Sequence, residues 1–377
     1  MPEASSFLMI TCQVGAERAV KGELARRWPQ FRFAYSRPGF LTFKLPADHK
    51  LADDFNLESV FARSYAFSLG KAAGGRLEER AQQVRQLAGD REYRRLHVFE
   101  RDRLAPGDHG YEPGLTEAAA EADAAIRAAW PAEAPPAETP LDARPLAKAG
   151  ELVLDCVLVQ PDEWWIGYHR ARSWASRRPG GLSRLKLPEN AVSRAYLKME
   201  ETLRWSHLPI RPGDRAAEIG CAPGGSCQAL LRRGLLVAGI DPAAVDPAVL
   251  ADPHFLHIRK RGADVRRRDF RSVRWLLADM NVAPAYTLDT LEAIVTHKQV
   301  RIRGLLVTLK LLDWKLADDV PAYLQRIKSW GFPYLRARQL QHNRQEICVA
   351  AMRCKPKPPL NWTRDAARGA ERGEPEA

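Results

Sequence analysis

Four ionisable residues in the second half of the chain lie at or near the ends of apolar segments. Asp279 closes WLLADM, Lys310 closes LLVTLK, Glu346 opens EICVAAM, and Lys198 lies in SRAYLKMEE. Surface positions would explain Lys198 and Glu346, but desolvating a charge at a strand end is costly, and in open α/β sheets such ends line the ligand crevice. Two lysines and two carboxylates gathered there could remove a proton from a weakly acidic group.

A glycine turn between two apolar runs indicates a nucleotide-binding βαβ unit. The stretch AAEIGCAPGGSCQALLRRGLLVAGIDPA covers residues 216–243. A P-loop requires Lys followed by Ser or Thr after the glycines, which is missing, and the dinucleotide pattern requires a glycine where Ala222 stands. The turn therefore favours neither a triphosphate nor a dinucleotide.

Acidic residues near the turn favour an adenosine ligand. Glu218 precedes the turn, and Asp241 ends the next apolar run, where an acid can bind both ribose hydroxyls. Glycines without a pyrophosphate to hold would let the backbone approach a bulky uncharged or cationic ligand. These features fit S-adenosylmethionine better than NAD. Asp264 is the candidate for the adenine amino group, with Asp269 as its rival.

With this methyl donor, the four ionisable residues predict transfer to a hydroxyl. A sugar 2′-OH is barely acidic, so a lysine acting as base needs a pKa well below its usual value of about 10.4. We expect Lys198 beside Lys310 to supply the cation that lowers this pKa, while Asp279 and Glu346 hold the pair in place. A base-nitrogen enzyme would instead carry a polar-Pro-Pro-aromatic turn after Leu277-Ala278, and a pyrimidine C5 enzyme would need a nucleophilic cysteine.

The charge of the chain favours a polyanionic partner. The formal net charge is +12 and the pI is about 9.6, and Lys and Arg that neutralise phosphates gain affinity by counterion release. The segment YHRARSWASRRPGGLSRLK, residues 168–186, combines basic residues with Tyr168 and Trp174 and contains no acid. Basic and aromatic residues together suit RNA binding, although a solvated linker is the alternative. A second basic cluster, at 259–274, also suits RNA. The predicted RNA-binding residues are Arg170, Arg172, Trp174, Arg177, Arg178, Arg184 and Lys186.

Other features limit the class of protein. Apolar runs fall short of the ~20 residues that span a bilayer, and the N-terminus lacks the basic region of a secretory signal. The six cysteines are scattered without a C-x-x-C pair. We therefore expect a cytoplasmic protein with reduced thiols, without a metal and without a membrane partner.

Two kinds of architecture are predicted along the chain. From residue 188 strands and helices alternate, which indicates a doubly wound, Rossmann-like α/β domain with a mostly parallel seven-stranded sheet. Its last two strands are joined by only QHNRQ and must form an antiparallel hairpin at the sheet edge.

The N-terminal half is predicted to be α+β. Its first part has the order β-α-β-β with a hairpin around Arg37-Pro38-Gly39, followed by a helix and strand within 51–70. A strand, a helix and an apolar strand follow, with a proline-rich loop at 131–145. The predicted divisions are 1–75, 76–170, a basic linker at 171–187, the α/β domain at 188–355 and a disordered tail at 356–377.

Several of these segments together resemble one family. SRLKLPENAVSRAYLKMEE, EIGCAPGG, LLADM, LLVTLKL and ARQLQHNRQEICV resemble the FtsJ-type RNA ribose 2′-O-methyltransferases, collinearly over about residues 182–354. The resemblance is strongest to members that methylate a cytidine ribose of bacterial 23S rRNA. Those members carry a ferredoxin-like segment and a THUMP RNA-binding domain, which implies the same division of residues 1–75 and 76–170.

The resemblance also implies roles for individual residues. The family's Lys-Asp-Lys-Glu tetrad corresponds to Lys198, Asp279, Lys310 and Glu346, with Lys310 as the base. The THUMP-like segment and the basic linker would bind structured RNA. The implied S-adenosylmethionine site comprises Ser193, Glu218, Gly220, Cys221, Ala222, Pro223, Gly224, Gly225, Asp241, Asp264 and Asp279.

One departure from the family pattern lies beside the predicted donor site. Ser226-Cys227 follows Gly224-Gly225 where family members usually carry Trp followed by Thr or Ser, so a large aromatic side chain is missing. Two alternatives remain open: the same chemistry on tRNA or another RNA, and an idle methyltransferase fold that serves as an RNA-binding protein. The complete tetrad argues against the idle fold, and Ser226-Cys227 is its best support.

Overall fold

The computed structural model describes residues 6–47, 55–130 and 144–355. The C-terminal tail and nearly all of the proline-rich loop lie outside the described residues. The strands are β1 Phe7–Cys12, β2 Arg32–Arg37, β3 Phe40–Lys44, β4 Ala62–Ala73, β5 Arg95–Glu100, β6 Leu152–Gln160, β7 Glu163–Arg170, β8 Arg215–Ile219, β9 Leu236–Ile240, β10 Phe255–Ile258, β11 Trp275–Ala278, β12 Gly304–Lys310, β13 Tyr334–Arg338 and β14 Glu346–Met352. The helices are α1 Glu17–Arg27, α2 Leu77–Ala88, α3 Glu117–Ala128, α4 Ala195–Ser206, α5 Gly225–Arg232, α6 Pro247–Leu250, α7 Pro284–Val295 and α8 Val320–Ser329.

A single seven-stranded sheet runs through the N-terminal half, in the order β2-β3-β1-β4-β7-β6-β5. All neighbours are antiparallel except β5 and β6. The predicted hairpin is confirmed, because Arg37 pairs with Phe40 across the turn. The proposed division near residue 75 falls between β4 and α2, but β4 pairs with β7, so the two segments on either side share one sheet.

The helices of this half cover one face of that sheet. Thr116 caps α3 by accepting a hydrogen bond from the Ala119 backbone N–H, at 3.2 Å, and Ala119, Ala122 and Ile126 recur at helical spacing and are buried. They pack with α2 against β4 to β7. The helix predicted before β4 is missing from the described part of that segment, since residues 55–61 contain none.

The C-terminal sheet has the order β10-β9-β8-β11-β12-β14-β13. Strands β8 to β12 run parallel, and β14 is antiparallel to both β12 and β13, which confirms the predicted edge hairpin. The chain reverses its direction of travel across the sheet between β8 and β11. A crevice opens at the carboxyl ends of the strands at such a switch point.

The two halves pack directly on each other. One hydrophobic core contains residues from both sheets, and the rings of Phe61 and Trp314 meet edge to face with centroids 6.3 Å apart. The Arg338 guanidinium donates to the carbonyl oxygens of Ala62 and Arg63, at 3.1 and 2.7 Å. The N-terminal half is therefore fixed on the C-terminal half by both apolar and polar contacts.

The six cysteines are all free thiols, and only Cys354 is exposed. Among the helices that the structure describes, none combines the length and apolar character needed to cross a membrane.

Candidate active site

The four predicted catalytic side chains meet at the carboxyl ends of β11 and β12. The Lys310 ammonium lies 2.7 Å from Asp279 Oδ1 and also contacts Glu346 Oε2. Lys198 Nζ lies 2.5 Å from the other carboxyl oxygen of Glu346. Glu346 therefore bridges the two lysines, and the structure brings the whole predicted set together.

Strand register explains this convergence. Lys310 is the antiparallel partner of Glu346 in the β12–β14 ladder, so the last residue of one strand faces the first of the other. Strands β11 and β12 run parallel and in register, which places Asp279, just after β11, at the same edge. Helix α4 buries Leu197 and Met199 and leaves Lys198 partly exposed toward the other three.

The ion pairs set the charge state of the site. Burial works against the charged form of Glu346, but Lys198 and Lys310 outweigh it and lower the pKa of Glu346 to about 2. Burial also disfavours the Lys310 ammonium, but Asp279 and Glu346 overcome this, so the pKa of Lys310 lies above its ordinary value. The expectation that Lys198 lowers the pKa of Lys310 is wrong for this state, because both carboxylates contact Lys310 directly while Lys198 contacts Glu346.

The predicted glycine turn lies next to these residues, against the backbone of Asp279. Gly220 has φ = +83°, and a Cβ there would lie 2.7 Å from the Asp279 carbonyl oxygen, so only glycine fits between β8 and β11. A Cβ on Gly225 would collide with Ser193 Oγ. Cys221, Ala222 and Pro223 link these glycines.

Glu218 accepts hydrogen bonds from the two residues that follow the glycine turn. Its carboxyl group is buried and accepts hydrogen bonds from Ser226 Oγ and from Cys227 Sγ, the latter at 2.9 Å. Burial raises the pKa of Glu218 to about 7, in spite of these two bonds. The unusual Ser226-Cys227 pair thus stabilises the start of α5, a role that the sequence comparison with Trp-Thr did not suggest.

A side-chain oxygen without a hydrogen-bond partner among the described residues lies beside the glycine turn. Ser193 Oγ is buried and has no hydrogen-bond partner among the described residues, and it lies against Gly225. Such an atom usually has a partner in ligand or water. This observation fits a polar ligand at the predicted donor site.

The other acids of the predicted donor site differ in their surroundings. Asp241 follows β9 and accepts hydrogen bonds from the backbone N–H groups of Ala222 and Ala243, at 3.2 and 2.8 Å. Asp264 is exposed after β10, whereas its rival Asp269 pairs with Arg266 at 3.3 Å. The geometry therefore favours Asp264 over Asp269 as the acid available to a ligand.

The basic segment at 168–186 makes many contacts within the protein. Arg170, Arg177 and Arg184 donate to the backbone carbonyls of Gly150, Ala147 and Arg144 respectively. These contacts argue against the alternative of a merely solvated linker, and they engage three of the arginines that were predicted to bind RNA.

The aromatic residue of the linker is also engaged. Arg178 lies over the Trp174 ring, 4.1 Å from its centroid, and Trp174 packs against the C-terminal core. Of the predicted RNA-binding residues, Arg172 and Lys186 are the exposed ones.

Sequence reasoning missed Asn343, which lies in the turn between β13 and β14. Its side-chain amide donates to Glu346 Oε1 at 3.3 Å, and its side-chain oxygen accepts from the Leu340 N–H at 2.8 Å. The polar run QLQHNRQE directly before Glu346 was the available signal, because a polar turn so close to a buried carboxylate often supplies its hydrogen bonds.

Part of the C-terminal half matches the model of a known protein family. Residues 191–314 match the model of the FtsJ-like methyltransferase family. Residues 191–314 of the C-terminal half are thus similar to an FtsJ-like methyltransferase domain. Lys198, Asp279 and Lys310 lie inside the matched range, and Glu346 lies beyond it.

Curated relatives extend the match. The chain is 35% identical over 179 residues to ribosomal RNA large subunit methyltransferase M of Xylella fastidiosa, covering 45% of this chain and 50% of the relative. The protein of the same name from Halorhodospira halophila is 34% identical over 181 residues, covering 46% and 51%. The aligned region of this chain thus spans about half the length of these relatives.

Solved structures show weaker similarity. The fibrillarin pre-rRNA processing protein of Methanococcus jannaschii aligns with a TM-score of 0.34 at 11% identity, covering 57% of this chain and 84% of that one. Fibrillarin of Aeropyrum pernix, in complex with S-adenosyl-L-methionine, aligns with a TM-score of 0.30 at 15% identity, covering 52% and 81%.

Proposed function

We propose that this protein is an S-adenosylmethionine-dependent methyltransferase that modifies a ribose 2′-hydroxyl of RNA, a cytidine of 23S rRNA, in the cytoplasm. The observation that carries the proposal is the contact of Lys310 with both Asp279 and Glu346 at the edge of the glycine-turn crevice. The names of the relatives, ribosomal RNA large subunit methyltransferases, support the choice of substrate.

The residues around the turn fit the methyl donor. S-adenosylmethionine supplies a methyl group on a positively charged sulfur. Asp241 would bind the ribose hydroxyls and Asp264 the adenine amino group. The Ser193 hydroxyl, which has no hydrogen-bond partner in the part of the chain that the structure describes, would bind a polar group of the methionine part. Gly220, Gly224 and Gly225 give the backbone room to approach.

Lys310 would act as the general base. Its ammonium must first lose a proton, since Asp279 and Glu346 favour the charged form. The neutral amine would then accept the proton of the 2′-hydroxyl while that oxygen bonds to the methyl carbon and the methyl–sulfur bond breaks, leaving its electron pair on the sulfur, which becomes neutral. Lys198 holds Glu346 in place, and alignment of the reacting atoms lowers the barrier further.

The N-terminal half, the basic linker and the basic 259–274 segment of the C-terminal half would bind the RNA together. Exposed Arg172 and Lys186, together with exposed arginines of the 259–274 segment, supply positive charge for phosphates. We assign residues 1–75 to a ferredoxin-like segment and 76–170 to a THUMP-like RNA-binding segment on the resemblance described above.

Methyl transfer measured on two RNAs tests this proposal. Tritiated S-adenosylmethionine would be incubated with the full chain and either unmodified 23S rRNA or unmodified tRNA, and the product digested to nucleosides. We expect 2′-O-methylcytidine from 23S rRNA only. A labelled base, or label in tRNA only, would contradict the assigned acceptor.

Binding of the donor is a separate measurement. Calorimetry with S-adenosylmethionine should show one site, and replacing Ser193 with alanine should weaken binding. Neither transfer nor donor binding in the unmodified chain would favour an idle fold that serves as an RNA-binding protein.

A further inference from the structure

A hydrogen-bonded chain runs from the N-terminal half to the candidate catalytic carboxylate. The Gln13 side-chain amide, just after β1, donates to the backbone carbonyl of Asn343. The side-chain amide of Asn343 donates to Glu346 Oε1, at 3.3 Å. The same Glu346 oxygen lies 2.5 Å from Lys198 Nζ. Two hydrogen bonds, with Asn343 between them, therefore connect the N-terminal half to the tetrad.

Each member of this chain is withdrawn from solvent. Gln13, Asn343 and Glu346 are 4%, 1% and 4% exposed. Gln13 Oε1 has no hydrogen-bond partner among the described residues, so the side chain is committed to the bond made by its amide nitrogen. A buried amide left half satisfied costs free energy, which indicates that the bond to Asn343 has a role beyond packing.

The turn that holds Asn343 makes several other contacts, and these hold its backbone in place. The Gln339 backbone N–H donates to the Val60 carbonyl at 2.8 Å, and Glu201 on α4 accepts from the backbone N–H groups of Gln341 and His342. The contacts of Glu201 lie within the C-terminal half. Of the two contacts named here that come from the N-terminal half, that of Val60 is made to Gln339, and that of Gln13 is made to Asn343, the residue that touches Glu346.

We propose that Gln13 is a positioning residue for Glu346, so that docking of the N-terminal half helps to set the geometry of the catalytic carboxylate. The inference rests on the proposed function for its kinetic consequence. Gln13 touches neither substrate nor donor, and it acts through Asn343. A shift of Glu346 would loosen both lysines, and small displacements in a catalytic group carry a large cost in rate.

Gln13→Met tests the proposal because it keeps the length and volume of the side chain and removes the amide. We expect kcat for methyl transfer to fall by about tenfold, the scale of one lost hydrogen bond. The KM for RNA and the Kd for S-adenosylmethionine should stay within about twofold. Asn343→Ala should show the same loss of kcat, and the double variant should lose less than the product of the two, since both act on one chain.

Arg344→Ala is the matched control. Arg344 lies in the same turn and pairs with Asp108 across the same junction, but its side chain is half exposed and makes no described contact with Glu346. We expect it to leave kcat unchanged. An equal loss of kcat in Arg344→Ala and Gln13→Met would show that Gln13 only stabilises the junction, and would overturn the proposal.

A measurement without catalysis separates this proposal from the proposed function. Glu346 would be titrated by carbon NMR of chains labelled at the glutamate carboxyl carbon. In Gln13→Met the low pKa of Glu346 should rise toward its ordinary value, and in Arg344→Ala it should not. Gln13→Glu, which keeps the shape but presents an acceptor to a carbonyl, serves if Gln13→Met fails to fold. An unchanged titration in a folded variant would overturn the positioning role even if no RNA is methylated.

Discussion

The two halves of the molecule place their buried charges differently. In the N-terminal half Arg63 and Asp102 form a double hydrogen bond at 2.7 and 2.6 Å, with side chains 6% and 3% exposed. In the C-terminal half Lys310 and Asp279 are 13% and 18% exposed. One pair is almost closed off from solvent, and the other is partly exposed at the ends of β11 and β12.

A second buried group in the N-terminal half follows the closed pattern. His169 contacts Asp155 through Nδ1 and the Ser176 carbonyl through Nε2, the latter at 2.7 Å. Burial disfavours its charged form, but Asp155 and the Ser176 carbonyl raise the pKa of His169 above its ordinary value. Burial of charge therefore does not identify a functional site by itself, and what distinguishes the tetrad is its place at open strand ends.

The largest expected effect is at the open pair. Lys310→Ala should lower methyl transfer by about 10²- to 10⁴-fold, the usual contribution of a general base, and leave the affinity for S-adenosylmethionine within about twofold. Tritium transfer and calorimetry measure the two quantities. The exposed neighbour Lys315 supplies the control, since Lys315→Ala should change neither. Substantial residual activity in Lys310→Ala would remove this residue from the role of base.

The rate should also depend on pH. Because the pKa of Lys310 is raised, only a small fraction of its amine is neutral near pH 7, and this fraction grows about tenfold per pH unit below the pKa. Single-turnover rates at saturating RNA should therefore rise by about 100-fold between pH 7 and pH 9. A flat profile over this range, with chemistry rate-limiting, would contradict a raised pKa for the base.

The closed pair should act on stability. Asp102→Ala leaves the Arg63 charge buried without its partner, and should lower the free energy of unfolding by about 3–5 kcal/mol. Urea unfolding checks this. Asp318→Ala breaks the exposed pair with Arg26 and should cost less than about 1 kcal/mol. Equal costs for the two variants would remove the distinction between closed and exposed pairs.

Glu218 should give a pH-dependent effect on stability. Its pKa is about 7 in the folded chain, above that of an unfolded glutamate, so its stabilising contribution is present at acid pH and is lost as pH rises from about 4.5 through 7. Glu218→Gln should therefore gain up to about 3 kcal/mol over the unmodified chain at pH 8 and little at pH 4.5. Glu58→Gln, at an exposed site, should show no such trend. A gain that is equal at both pH values would rule out titration of Glu218 as its cause.

The smallest effect is expected in the basic linker. Arg172→Ala should weaken RNA binding and reduce the slope of log affinity against log salt by about 0.7–0.9, the range for one phosphate contact on single-stranded and duplex nucleic acid, with the melting temperature unchanged. Arg177→Ala should instead lower stability, because Arg177 donates to the Ala147 carbonyl. Fluorescence anisotropy over a salt series measures the slopes. An unchanged slope in Arg172→Ala would exclude this residue from the RNA contact.

Sequence patterns predicted the C-terminal half well because its signals are local. Each of Asp279, Lys310 and Glu346 is adjacent to an apolar run, and the shortness of the β13–β14 link dictates a hairpin. The direction of the pKa shift of Lys310 could not be predicted, because it depends on whether a carboxylate or Lys198 is the nearest neighbour, which only side-chain positions decide.

Long-range pairing explains most of what the sequence did not reveal. The two N-terminal segments form one sheet because β4 pairs with β7, about 100 residues later in the chain. No local sequence pattern specifies this pairing. The bond from Gln13 to Asn343 joins residues 330 positions apart. Trp174 was expected at an RNA surface, but its place against the C-terminal core follows from the path of the folded linker.

The core shared by the two sheets fixes the distance between the N-terminal surface and the crevice. A domain on a flexible tether could present many different nucleotides to one active site. Two surfaces that are packed together hold the RNA-binding surface at a fixed distance from the active site. If the RNA is held by the N-terminal half, the nucleotide that reaches Lys310 is selected by its distance within the folded RNA as well as by its base. Changes to the packing around Phe61 and Trp314 would then alter which nucleotide is modified without touching the tetrad.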